Sequence, residues 1–194
     1  LIKINLSRMD ITGDITNIKS LLKLTYLNLS RTGVSGDIVN LKILINLIKI
    51  DLSWNKEIFG DIAHLKSLRN LTNIDLESTS VFGDILHLKS LPKLTMIEFR
   101  WTIVTGDILN LNPNLTTIVL TNTGVTGDIG NLNNLQNLDF IQIYNTSISG
   151  DFAPLKSLPK LRNLRIGCVG VFGDMDAFEE YRKIAGLPEC YIDM

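Results

Sequence analysis

Leucine and isoleucine alternate with polar residues in one repeated arrangement along the chain. From Leu24 to Leu44, for example, Leu24, Leu27 and Leu29 stand as L-x-x-L-x-L. Leu27 and Leu29 alternate at the period of a strand, so their side chains share one face. Past Thr32, Val34 and the pair Gly36-Asp37, apolar residues come at every third position: Ile38, Leu41, Leu44 and Leu47. That spacing predicts a tight, 3₁₀-like or irregular return. Each unit is then a strand, a turn and a short helical segment on the opposite side.

The unit recurs. Gly-Asp pairs stand at Gly13-Asp14, Gly36-Asp37, Gly60-Asp61, Gly83-Asp84, Gly106-Asp107, Gly127-Asp128, Gly150-Asp151 and Gly173-Asp174. A period of this size predicts a solenoid whose stacked units share one continuous core. The expected organisation is eight repeats of about 23 residues over positions 1–175 and a C-terminal cap, a helix and a closing strand, over 176–194.

The frame L-x-x-L-x-L-x-x-T-x-V-x-G-D-I resembles that of leucine-rich repeat proteins, most of all the plant-type class. The resemblance covers nearly the whole chain. It implies an α/β solenoid with a curved parallel sheet on its concave face and short helical or irregular returns on its convex face. Two columns depart from that class. Thr32, Thr79, Thr102, Thr123 and Thr146 stand where it usually has Asn, and Thr16, Val39, Ala63, Leu86, Leu109, Gly130, Ala153 and Asp176 where it usually has Pro. The Thr column is expected to form an inward ladder bonded to backbone at the strand ends.

The Gly-Asp pair reads as a local device. Glycine supplies a turn conformation that a Cβ would penalise. Aspartate then precedes an apolar helical run, the place of an N-cap, where its carboxylate accepts from backbone N–H groups. Asp14, Asp37, Asp61, Asp84, Asp107, Asp128, Asp151 and Asp174 are therefore expected to be structural caps. The rival reading, a calcium ladder, needs several oxygens converging on each ion.

Catalytic, metal and cofactor residues are not expected. His64 and His87 occupy the same convex position in successive units, with no Cys or further His to complete a metal site. The glycines are spaced one per unit rather than clustered as in phosphate-binding loops. A net charge of −1 gives no reason to expect nucleic acid. The most apolar run, "LKILINLIKI", is short and carries two lysines, so no membrane insertion is expected. Two cysteines, Cys168 and Cys190, are fewer than a disulfide framework needs, and both are expected as free thiols. Asn-x-Ser/Thr sites at Asn5, Asn28, Asn70, Asn114 and Asn145 lean toward an extracellular or lumenal setting.

At the N-terminus, "LIKINLS" already matches the strand frame, so Leu1, Ile4 and Leu6 are core-type residues without an N-terminal cap. The expectation is that upstream sequence, or a larger complex, covers that edge. At the C-terminus a helix is expected from Asp176 to Ala185, with Asp176 as its cap. "LPECYI" then follows as a closing L-x-x-C-x-I strand that buries Cys190.

Function is expected on the exposed strand positions, where the residues vary. Asp51, Asp75 and Glu98 precede the third core residue, Glu77, Arg100 and Tyr144 follow it, and Trp54 and Trp101 stand one step further on. An aromatic pair around carboxylates on a concave face is expected to bind another protein that is basic at its contact site. These eight residues form the candidate partner-binding site of a non-enzymatic recognition module. Two alternatives stand beside it. One is an accessory subunit docked through its N-terminal edge or its convex back, where Lys19, Lys42, Lys66, Lys89 and Lys156 recur. The other is a ligand-sensing receptor ectodomain.

Overall fold

The computed structural model describes residues 2–194. Among these, nine short strands form one parallel sheet: Lys3–Asn5, Tyr26–Asn28, Lys49–Asp51, Asn73–Asp75, Met96–Glu98, Thr117–Val119, Phe140–Tyr144, Asn163–Gly167 and Tyr191–Asp193. They pair in sequence order, each with the corresponding strand of the next unit. One central file therefore runs Ile4, Leu27, Ile50, Ile74, Ile97, Ile118, Ile141, Leu164 and Ile192. From Leu27 to Leu164 this file is buried, and with Leu29, Leu52, Leu76, Phe99, Leu120, Ile143 and Ile166 it makes the sheet side of one core. Short 3₁₀ segments close the other side, among them Ile38–Ile43, Ile62–Ser67 and Ile85–Ser90. The chain folds as an α/β leucine-rich repeat solenoid.

A second parallel sheet is the feature the periodicity does not announce. Eight strands form it: Thr12–Asp14, Gly33–Asp37, Ile58–Asp61, Ser80–Asp84, Ile103–Asp107, Gly124–Asp128, Ser147–Asp151 and Gly170–Phe172. The stretch read as a turn is thus a strand that ends on the Gly-Asp pair. In the first six pairs and in Asp151, Asp Oδ1 accepts from the backbone N–H two residues on, at 2.7–2.8 Å. The glycines lie at φ 103° to 159°. Gly83 shows why: at φ 112° a Cβ would collide with the Asp61 carboxylate of the preceding strand. The glycine of one unit makes room for the capping aspartate of the unit before it.

The strand ends carry the expected Thr column. Thr32, Thr79, Thr102 and Thr123 donate from Oγ1 to the carbonyls of Leu29, Leu76, Phe99 and Leu120 at 2.7–2.8 Å. Asn55 takes the same place in its unit, donating from Nδ2 to Leu29 and Leu52. Cys168, aligned by spacing with the outward Asn145, is instead buried, its Sγ against Thr146 and the Ile143 carbonyl. Both cysteines are free.

Both ends differ in detail from expectation. Leu1 lies outside the described residues. Ile4 is half-buried against the core, whereas Leu6 is 37% exposed. At the C-terminus the helix runs Met175–Ile184, and its cap is Asp174, which accepts from Ala177 N–H at 3.0 Å. Asp176 falls inside the first turn instead, because the repeat frame already sets Asp174 at the helix mouth. The closing strand sits two residues out of the repeat frame: Ile192, not Cys190, pairs with Leu164. Cys190 is nonetheless buried, and burial pushes its thiol up to about 11.

Candidate functional site: the concave face and its flank

Side chains alternate across the sheet, so each strand presents every second residue to the concave face. The file beginning at Asn28 continues through Asp51, Asp75, Glu98, Val119, Gln142, Arg165 and Asp193, each directly opposite the next. Three carboxylates therefore stand side by side on adjacent strands about 4.8 Å apart. Like charges so placed oppose folding. Asp75, in the middle, is pushed up to about 7, first by its burial and then by the charges of Glu98 and Asp51. Its Oδ1 accepts from Glu77 N–H at 3.1 Å, which only partly offsets this.

One cation enters the cluster from within. Arg100 Nη2 donates to Glu77 Oε2 at 2.9 Å and also contacts Glu98 Oε1. Glu77 is buried, and burial raises its carboxyl above the usual range despite Arg100. Lys49 lies outward on the same strand as Asp51. Four carboxylates thus face one bridging guanidinium and one peripheral ammonium. Beyond Arg100 opens a cavity of about 400 Å³ lined by Glu98, Arg100, Thr117, Val119, Phe140 and Gln142.

The far end of the face has a different chemistry. Tyr144 donates its hydroxyl to Asp193 Oδ2 at 2.6 Å, and burial with that carboxylate pushes the phenol up to about 12. Arg165 lies over the rings of Phe140, at 5.4 Å, and Tyr191, at 5.9 Å. Phe140, Arg165, Tyr191 and Asp193 were not singled out by the sequence. Phe140 and Tyr191 belong to the outward file that starts each strand. The frame assigns that file as readily as the others, so the signal was present. The two-residue shift of the closing strand keeps Tyr191 and Asp193 on the same face but moves each along it, so that Asp193 rather than Tyr191 falls opposite Arg165.

The structure separates the tryptophans from the carboxylates. Both follow their strands and occupy the turn that leads to the second sheet. Among the described residues, seven non-glycine residues have positive φ, one per unit at this turn: Arg8, Arg31, Trp54, Ser78, Trp101, Asn122 and Asn145. The ladder continues through them, Trp54 N–H donating to Glu77 O at 2.7 Å and Trp101 N–H to Thr121 O at 3.0 Å. The left-handed conformation suits Asn and costs a bulky L-residue about 1–2 kcal/mol. Trp54 at φ 62° and Trp101 at φ 54° lean over Ser78 and meet edge to face, their centroids 6.0 Å apart. The Arg31 guanidinium lies 4.5 Å above Trp54. Trp54 and Trp101 lie past the ends of their strands, at the turn that leads to the second sheet, on the flank of the face. Asp51, Asp75, Glu77, Glu98, Arg100 and Tyr144 remain on the concave side.

Other sequence-level candidates are placed apart. His64 and His87 lie half-buried on convex returns with exposed Lys66 and Lys89 nearby in sequence. Asn28 is half-buried, its Oδ1 accepting from Ser30. Among the described residues no helix is long and apolar enough to cross a membrane.

No protein-family model and no curated protein sequence matches the chain. Solved structures do. The Arabidopsis receptor kinase HAESA, in complex with a peptide hormone and a co-receptor, is 22% identical with a TM-score of 0.75, over 91% of this chain and 35% of that one. The LRR ectodomain of the Arabidopsis membrane receptor kinase GASSHO1/SCHENGEN3 is 23% identical with a TM-score of 0.67, over 84% of this chain and 20% of that one. Internalin C2 from Listeria monocytogenes is 25% identical with a TM-score of 0.68, over 89% of this chain and 80% of that one. The chain spans about a third or less of these plant receptors. The likeness establishes the fold.

Proposed function

We propose that the protein is a non-enzymatic recognition module that binds a basic segment of another protein along its concave face. The observation that carries this reading is the file Asp51, Asp75 and Glu98, three carboxylates in register with the central one pushed up to about 7. An arrangement that opposes folding persists where something outside the fold benefits from it. A ligand lysine or arginine laid across the file would supply the missing counter-charges. The aromatic and cationic end, with Phe140, Tyr144 and Arg165, would take the less basic remainder of the ligand. A peptide hormone bound by HAESA supports a peptide or protein ligand for this shape, and the ectodomain neighbours support an extracellular or lumenal setting.

The test uses acetylated, amidated 12-residue peptides rich in Arg or in Glu. The Arg-rich peptide should bind the wild-type chain with a marked salt dependence. Replacing Asp75 and Glu98 together by Asn and Gln should weaken it at least tenfold and flatten the salt dependence, chiefly by slowing association. Unchanged binding by that double variant would overturn the reading.

A further inference from the structure

The flank next to the tryptophans carries a second surface that the concave reading does not use. Trp54 and Trp101 wall a cavity of about 550 Å³ whose lining includes Lys56, Ser78, Ser80 and Ile103. Ile103 is 66% exposed. It opens a strand of the second sheet and pairs in register with Phe82, itself 46% exposed. Phe59 lies on the diagonal of the next strand, where Phe59 pairs with Ser80 and Asp61 with Phe82. Diagonal neighbours of this kind are within reach of aromatic side chains. Five large apolar side chains thus form one patch across three units, on the order of several hundred Å², at the upper end of what monomers expose.

Three observations point to a ligand here. First, both tryptophans of the chain occupy left-handed positions where Ser and Asn stand in neighbouring units, so the backbone does not ask for them. Second, the core does not need them: Leu52, Asn55, Phe99 and Thr102 close the interior beneath. Third, the charged residue in the cavity lining is a cation, and a second cation lies on its aromatic wall. Lys56 lines the cavity and is exposed, and the Arg31 guanidinium lies 4.5 Å from the centre of the Trp54 ring. The nearby second-sheet carboxylates Asp61 and Asp84 have Oδ1 engaged as caps, and Glu57 lies outside the lining.

We infer that this flank is a docking site for a partner segment that presents a bulky apolar side chain beside a carboxylate. The apolar side chain enters between Trp54 and Trp101 and spreads onto Ile103 and Phe82. The carboxylate pairs with Lys56 and the edge of Arg31. Its polarity is opposite to that of the concave face, so one stretch of the solenoid carries two surfaces with opposed charge preferences. The inference does not rest on the concave reading.

Intrinsic fluorescence tests it directly, because the only tryptophans of the chain line the site. The probes are acetylated, amidated peptides with a central Phe flanked by Glu, the same with Lys, and the Glu-flanked peptide with Ala for Phe. The Glu-flanked Phe peptide should give a saturable change, at least tenfold tighter than either other probe. Lys56→Glu should reverse the Glu-over-Lys order. Trp101→Asn should abolish the response, still read through Trp54, while the melting temperature stays level or rises. Neutralising Asp75 and Glu98 should leave the Glu-flanked peptide unaffected, which separates this site from the concave one. Equal affinity for all three probes, no saturable change, or Trp101→Asn binding as wild type would each overturn the inference.

Discussion

Arg182 should be the residue whose loss most weakens the C-terminal end. It lies in the last turn of the helix Met175–Ile184 and is only 2% exposed. All five N–H donors of its guanidinium are used. Nε and Nη2 donate to Pro188 O at 3.0 and 2.8 Å, Nη1 to Lys156 O and Leu158 O at 3.0 and 2.9 Å, and Nη2 to Leu161 O at 2.7 Å. The acceptors belong to the last 3₁₀ return, the approach to the next strand, and the loop after the helix. One side chain therefore ties the cap to the last unit and closes its own loop. Hydrogen bonds from a charged donor contribute about 1.5–3 kcal/mol each. Burial of the cation, which holds its pKa below the usual value, offsets a large part of that. Replacement by Met keeps much of the volume but strands four carbonyls, so the net loss should be about 3–5 kcal/mol. Arg182→Lys keeps the charge but has three donors on one atom and cannot span the ring of acceptors. Hydrogen exchange reads the effect locally: protection across residues 176–193 should fall about 100-fold or more, at 1.4 kcal/mol per factor of ten. Units near Tyr26–Asn28 should be little changed, since each repeat contacts only its neighbours. If Arg182→Met leaves cap protection within threefold of wild type, the carbonyls are satisfied without the guanidinium and the reasoning fails.

Two further outcomes follow from the same accounting of unsatisfied groups. Asp75 holds its proton in the folded state to about pH 7 but ionises near 3.8 when unfolded, so stability is full below about pH 4 and falls as pH rises through 7. Asp75→Asn, which keeps the Oδ1 acceptor for Glu77 N–H, should match wild type in denaturant melts near pH 4 and exceed it by about 1–3 kcal/mol at pH 8; equal stability at pH 8 would refute this. Gly83→Ala should cost about 1–3 kcal/mol, from φ 112° and from the Asp61 carboxylate in its way. Combined with Asp61→Gly, the loss should fall short of the sum by at least about 0.5 kcal/mol, and strict additivity would show that the two positions do not meet.

The core was legible because the same columns recur in every unit, so a single ambiguous residue could not mislead the reading. The capping aspartates were legible for the same reason. The second sheet was not. Its strands are three to five residues long and seven of them end on a Gly-Asp pair whose glycine has positive φ, so their sequence reads as a turn. Pairing with the neighbouring unit, which no single unit reveals, is what makes them strands. The flank position of the tryptophans was hidden by the same step, since periodicity places residues on a strand but does not say where the strand stops. Arg182, within "EEYRKIAG", reads as an ordinary solvated helix residue. Its burial depends on carbonyls some 20 residues away.

Features that oppose folding gather in the middle of the solenoid. The carboxylate file spans Asp51 to Glu98, and the strained tryptophans span Trp54 to Trp101, on opposite sides of one turn. Beneath them the core is fully buried: Ile50, Ile74 and Ile97 in one file and Leu52, Leu76 and Phe99 in the next, each 0–1% exposed. On either side of this stretch the file is neutral, with Asn28 before it and Val119 and Gln142 after it, ahead of the opposite charges Arg165 and Asp193. In a stack of nearest-neighbour contacts, a locally unfavourable stretch is held by the favourable interfaces on either side. Central units are therefore the ones that can carry repulsion between like charges. In the C-terminal cap the buried Arg182 has every donor satisfied. Surface substitutions at Asp75 or Trp101 should then change binding while holding or raising stability, and substitution of Arg182 should do the reverse.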